Sequence, residues 1–299
     1  MHHLENTEQR AELIEQITRL KCFDNIDRVS TIEQGDSHHC FKVVDQNKCY
    51  FVKYFDHIEY SHQYNQLNKI VADIGLAPAL IYNDKFWQVH QFIEGSSLNL
   101  WPLSLKEKVE HCLTLMVACH QKIDVTKLTQ VPVLNFFEVI KPLTKHLTND
   151  QQSLINKIID MLNNTLLISP SVLCHGDINF SNIILANKPW LLDFECACIA
   201  DKEFDLAMML SVNELLSEAT PSFIDSSIDY YNERSSANSI IDKEKVMRYL
   251  DFSFIINGLW YFESYNNKKD SRLKHKAFKQ FNYFDSLDFI TESLTDRMR

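Results

Sequence analysis

The chain has 299 residues, 45% of them hydrophobic and 23% charged, with a formal net charge of −10 at neutral pH. That length supports one large domain or two closely joined lobes. The acidic balance argues against nucleic acid or an anionic membrane as the main partner and suits a small cationic molecule better. No run approaches the roughly eighteen apolar residues of a membrane span, and the first twenty residues lack a signal-peptide core, so a cytoplasmic protein is expected.

Residues 7–20 pattern as an amphipathic helix with Leu13, Ile17 and Leu20 on one face. Three extended segments follow, 29–33, 40–44 and 49–55, separated by turns at 34–39 and 45–48. A helix over 59–74 ends at the breaker Gly75-Leu76-Ala77-Pro78. Segments 79–82 and 86–92 are two further strands. Gln91–Gly95 reads as a connector, and beyond it the composition turns helical. Ser104-x-x-Glu107 is a capping-box start for a helix to about Lys122. Residues 150–166, 204–216 and 243–265 pattern as helices, whereas 217–238, rich in Ser, Asn and Asp, reads as a loop insertion or mobile segment. Eight cysteines without CxxC or framework spacing read as reduced, mostly buried thiols.

The chemistry concentrates between 175 and 195. His175-Gly176-Asp177 is followed by Asn182, a short strand 183–185, a turn, a strand 190–192, and then Asp193-Phe194-Glu195. A hairpin of that length returns Asp193 toward Asn182, so that an amide oxygen and a carboxylate share one divalent cation, with Asp177 across the same pocket. Such a set suits phosphoryl transfer, in which magnesium bridges the phosphates and a loop aspartate takes the proton of the attacking hydroxyl. Asp and Asn also favour turns, so an Asx turn at Asp177 is the competing reading.

His175-Gly-Asp-Ile-Asn-Phe-Ser-Asn182 with Leu-Leu-Asp193-Phe-Glu195 resembles the signature of the aminoglycoside phosphotransferase and choline kinase family. The resemblance implies an α+β, two-lobed protein-kinase-like fold, with an antiparallel five-stranded sheet and a helix in a nucleotide-binding lobe at 1–93. A mainly helical catalytic and substrate-binding lobe at 94–299 carries the hairpin. It implies Asp177 as base, Asn182 and Asp193 as magnesium ligands, and ATP as phosphate donor to a small-molecule alcohol. The DFE form resembles the choline and thiamine kinase branches.

Lys53 lies in a strand apolar on both faces, where burial without a counter-charge is costly, so a phosphate contact is expected. A snorkelling edge lysine is the alternative. Gly35 and Ser37 sit where kinases fold a loop over the phosphates, and the backbone of Gln91–Ile93 is expected to meet the adenine. The helix that should supply a glutamate partner for Lys53 has none over 61–72; either Glu59 serves or a neutral residue does. His120 and His175 are read as structural braces. The aromatic-rich helix 243–265 offers Trp260 and Glu263, with Glu195, as candidate acceptor contacts for a cationic alcohol such as choline or thiamine; a plain hydrophobic core is the competing reading there. An aminoglycoside or sugar-alcohol acceptor, and a non-catalytic nucleotide-binding protein on a kinase scaffold, remain as alternatives.

Overall fold

The structure, a computed structural model, describes residues 2–32, 39–55, 65–166, 169, 171–215, 221–236, 240–286 and 293–298. The chain forms two compact units. The first comprises residues 1–96 together with 184–195, and the second 97–183 together with 196–299. The hairpin strands in the middle of the sequence therefore belong largely with the N-terminal unit.

In the first unit, helix α1 (His2–Ile17) precedes β1 (Ile26–Ile32), β2 (His39–Asp45) and β3 (Lys48–Tyr54). Helix α2 (Asn65–Asp73), β4 (Leu80–Asn83) and β5 (Trp87–Gln91) follow. The five strands pair antiparallel in the order β1-β2-β3-β5-β4, as the fold reading requires. Gln46 and Asn47 both take positive φ (47° and 65°), the backbone that a two-residue hairpin turn between twisted strands demands. Strand alternation sorts the faces. Phe41, Val43, Val52, Trp87 and Val89 point to one side and pack with Leu13, Ile17 and Leu20 into the unit's core. The neighbouring residues form a row in register, Cys40–Lys53–Gln88, on the other side. Helix α1 starts earlier and stops sooner than its apolar pattern suggests, because Thr18 to Cys22 turn back in tight turns.

Strands β6 (Ser96–Ser97), β8 (Ile183–Leu185) and β9 (Pro189–Leu191) make a three-stranded sheet in the order β6-β8-β9. Gly95 is needed there, since a Cβ on it would lie 2.3 Å from the Leu185 carbonyl oxygen.

The second unit is helical: α3 (Leu105–Lys122), α4 (Phe136–Ile140), α5 (Asn149–Thr165), α6 (Lys202–Val212), α7 (Pro221–Arg234), α8 (Lys243–Lys268), α9 (Ser271–Asp285) and α10 (Leu294–Met298). The short pair β7 (Val172–Cys174) and β10 (Cys198–Ala200) accompanies them. The Ser104/Glu107 capping box starts α3 as read from the sequence. Helix α6 is buried along nearly its whole length, with Phe204 meeting Tyr249 and Phe252 of α8 edge-on or tilted. At Gly258 a Cβ would lie 2.3 Å from the Phe281 ring, so the glycine lets α8 and α9 close on each other.

One expectation is corrected. Residues 221–234, read as loop, are helical. Ile224, Ile228 and Tyr231 recur at helical spacing and are buried, with α7 packed on α3. Polar residues between them, such as Ser226 and Asp229, form the exposed face, while Ser227 is buried with the stripe; this mixture masked the period. Among the described residues, no helix is long and apolar enough to cross a membrane.

Candidate active site

The loop after β7 carries the motif. Gly176 sits at φ 77°, and a Cβ there would lie 2.5 Å from the Cys196 carbonyl oxygen, so glycine meets both a torsional and a steric demand. His175 is fully buried, and its Nδ1 accepts the Asp177 amide hydrogen at 3.2 Å, the bracing role expected of it. Asp177 is held open-handed. Its Oδ1 accepts from Asn179 Nδ2 at 2.9 Å and its Oδ2 from Asn182 Nδ2 at 2.8 Å. Asn182 Nδ2 also donates to the Asp177 carbonyl at 3.1 Å. With the amide nitrogen so engaged, Asn182 Oδ1 is left as an oxygen donor with no hydrogen-bond partner among the described residues. Asn179 shapes the turn by accepting the amide hydrogens of Ser181 and Asn182 on its side-chain oxygen.

Two residues that sequence reading passed over, Asp205 and Asn213, anchor this loop together with His120, which was read as a brace. Asp205, buried in the first turn of α6, accepts the amide hydrogens of His175 (3.0 Å) and Gly176 (2.9 Å). His120 Nε2 lies 3.1 Å from the same carboxylate, and its Nδ1 lies 2.8 Å from the Tyr231 hydroxyl. Burial opposes ionisation of Asp205, yet His120, His175 and the Gly176 amide outweigh it and hold the carboxyl below its ordinary range. His120 thus braces the loop through an acid 85 residues away, which spacing in sequence did not reveal. His120, Cys174 and Asp205 bring three potential metal ligands together, but the imidazole and carboxylate are spent on hydrogen bonds and the Cys174 thiol donates to the Asp201 carbonyl.

In the first unit, Lys53 is 8% exposed and its ammonium pairs with two carboxylates, Asp193 at 2.8 Å and Glu195 at 3.0 Å. Burial opposes the charge, but the two acids together hold its pKa above the ordinary lysine value. The glutamate that replaces glycine in the DFE motif is therefore a partner of the strand lysine; Glu59, the other option, lies outside the described residues. Asp193 takes left-handed φ (63°), uncommon for a non-glycine residue but tolerated by aspartate, and strain of this kind concentrates at functional positions. Its Oδ1 faces Lys53, and the side chain is 38% exposed.

In the connector, the Gln91 and Phe92 amides are already donated to the carbonyls of Ala79 and Cys49. Among the described residues, Ile93 alone of Gln91–Ile93 has an amide hydrogen without an acceptor. Lys42 steadies the connector by stacking 4.0 Å over Phe92 and pairing with Glu94 at 2.8 Å. Gly35 and Ser37 lie outside the described residues.

On α8, Trp260 is 40% exposed and meets Tyr261 edge-on. Tyr261 is buried, and burial, with Glu214 and Asp177 nearby, pushes its hydroxyl up to about 12. Glu263 faces His146 at 3.5 Å and Asn267 at 3.4 Å. Asn182 in the second unit and Asp193 in the first each offer a hard oxygen atom, the kind of ligand that magnesium takes.

Comparison with known proteins agrees with the motif. Residues 28–238 match the model of the phosphotransferase enzyme family. A LicA homologue of Mycoplasma capricolum is 23% identical over 213 residues, covering 64% of this chain and 77% of that protein. The structure resembles choline kinase LicA from Streptococcus pneumoniae with a TM-score of 0.69 at 18% identity, covering 91% of this chain and 98% of the other. It also resembles a spectinomycin phosphotransferase in complex with ADP and spectinomycin, with a TM-score of 0.59 at 17% identity, over 96% and 97% of the two chains. The structural likenesses establish the kinase-like fold, and the family match, extending over more than two thirds of the sequence, establishes descent: the chain belongs to the phosphotransferase enzyme family.

Proposed function

We propose that this phosphotransferase moves the γ-phosphate of ATP to a hydroxyl of a small cationic alcohol of the choline or thiamine type. The observation that carries the reading is the Asp177 loop, in which two asparagine amides orient a half-buried carboxylate. A carboxylate so held has a fixed lone-pair direction and is available to take the proton of an attacking hydroxyl. Asn182 and Asp193 hold magnesium, and Lys53 contacts the nucleotide phosphates. Magnesium, when bound, neutralises charge on the phosphates. Lys53 leaves part of its carboxylate pairing when phosphate arrives, because phosphate oxygens replace the counter-charge it now takes from Asp193 and Glu195. The Ile93 amide offers the donor for the base.

The choline direction is supported by the choline kinase and LicA relatives, by the DFE motif, and by the acidic balance of the chain. An aminoglycoside acceptor is the second reading, favoured by the likeness to a spectinomycin phosphotransferase. ADP release measured with choline, ethanolamine, thiamine, homoserine, methylthioribose and kanamycin, each with and without magnesium, separates them. Turnover of choline or thiamine supports the first reading. Turnover of kanamycin alone overturns the cationic-alcohol choice, and magnesium-dependent nucleotide binding with no turnover of any alcohol favours the non-catalytic alternative.

A further inference from the structure

Helix α6 grips the Asp177 loop at both ends. At its first turn Asp205 takes the amide hydrogens of His175 and Gly176. Eight residues on, roughly 12 Å along the axis, Asn213 follows the last turn. Its Oδ1 accepts the Phe180 amide hydrogen at 2.9 Å, and its Nδ2 donates to the Ile178 carbonyl at 2.9 Å and to the Met209 carbonyl at 2.8 Å. Both ends of this one amide are thus spent on backbone, on the two residues that flank Asn179. Asp177 lies between the grips of Asp205 and Asn213. The neighbouring Glu214 takes left-handed φ (54°) and pairs with two lysines of α9, Lys279 at 2.6 Å and Lys276 at 3.7 Å. Lys276 in turn stands 5.2 Å over the Tyr261 ring. Residues 213 and 214 therefore hold the loop with one side chain and α9 with the next.

We propose that Asn213 is a positioning residue for phosphoryl transfer, fixing the Asp177 loop from its far side, and that Glu214 ties this grip to α9. The inference rests on the reading of Asp177 as the base. Its energetic logic is that a misplacement of about 1 Å in a catalytic group costs on the order of 10²-fold in rate.

The test combines hydrogen exchange with kinetics on full-length Asn213→Ala and Asn213→Asp. Asp keeps an acceptor for Phe180 but turns an oxygen toward the Ile178 carbonyl. In Asn213→Ala, exchange of the 176–182 segment is expected to rise about tenfold while the rest of the second unit keeps its protection. Turnover of the preferred acceptor falls about 10–100-fold, and KM for ATP stays within about twofold. Asn213→Asp regains Phe180 protection and part of the rate. Unchanged loop exchange and turnover in Asn213→Ala overturn the proposal, as does a uniform rise in exchange with kcat and KM worsening together, which marks a merely structural residue. Should the alanine variant not fold, the aspartate variant decides: it must lose rate without losing ATP affinity. If the wild-type chain turns over no alcohol in the panel, the functional reading fails by itself, and exchange in the variants still decides whether the clamp exists.

Discussion

Asp177 and Asp193 differ in what surrounds them, and their replacements should fail differently. Asp177 is oriented by two neutral amides, so Asp177→Asn keeps the side chain's size and one of the two hydrogen bonds its oxygens accept, while removing the proposed proton acceptor. Turnover is expected to fall roughly 10²–10⁴-fold with nucleotide affinity nearly kept; ADP release and a thermal-shift titration with ATP measure the two. Asp193 shares Lys53 with Glu195, so Asp193→Ala leaves the lysine one counter-charge but removes the carboxylate proposed to hold the cation. The magnesium-dependent part of the nucleotide-induced thermal shift should vanish, and its persistence would place the metal elsewhere. At this scale the motif stood out because its residues form, at short spacings, a pattern that phosphoryl chemistry would use. Asp205 and Asn213 did not, because each works by holding backbone, and nothing in a sequence marks which distant amide a buried carboxylate or a carboxamide will meet. The second partner of Lys53 was hidden for a different reason: Glu195 stands in the sequence as a motif variant, and only folding across 142 residues turns it into a counter-ion.

Secondary elements were most legible where their period was clean. The β-hairpins and the capped helix α3 announce themselves through alternation, turn residues and the Ser104/Glu107 box. Helix α7 was hidden because the apolar part of its buried stripe, Ile224, Ile228 and Tyr231, is thin and lies among serines and aspartates. The contact of α8 with α9 is a matter of fit rather than pattern. Gly258→Ala should push a methyl into the Phe281 ring and lower the melting temperature, costing about 1–3 kcal/mol. Because the clash is with an aromatic ring, Gly258→Ala combined with Phe281→Leu should be less destabilised than the sum of the single changes. A double-mutant cycle in urea tests this, and strict additivity would show that the two positions do not press on each other.

For the molecule as a whole, pH dependence should carry a signature from Asp251. Burial on α8, against a modest opposing pull from Arg248, raises its pKa from 3.8 to about 7. Below pH 4 the group is protonated in both folded and unfolded chains and contributes nothing. As pH rises from about 4 toward 7, the unfolded chain releases the proton first, so Asp251 works against folding by on the order of 1 kcal/mol for each pH unit crossed. Above about 7 the penalty stays constant. Asp251→Asn should therefore raise the melting temperature at pH 8 and leave it nearly unchanged at pH 4. An equal effect at both values would assign the change to packing.

The excursion of residues 184–195 into the N-terminal unit governs how this chain can be divided. A fragment stopping at Ser96 would strand a nearly buried ammonium at position 53, because both of its neutralising acids arrive from more than 130 residues downstream. It would also forfeit the backbone bond from Leu191 to Leu76 and the contact of the Lys188 amine with the Gly75 carbonyl. A soluble N-terminal half is to be sought only by grafting the excursion back on, joined by a short linker; a simple truncation should yield an aggregating, protease-sensitive polypeptide.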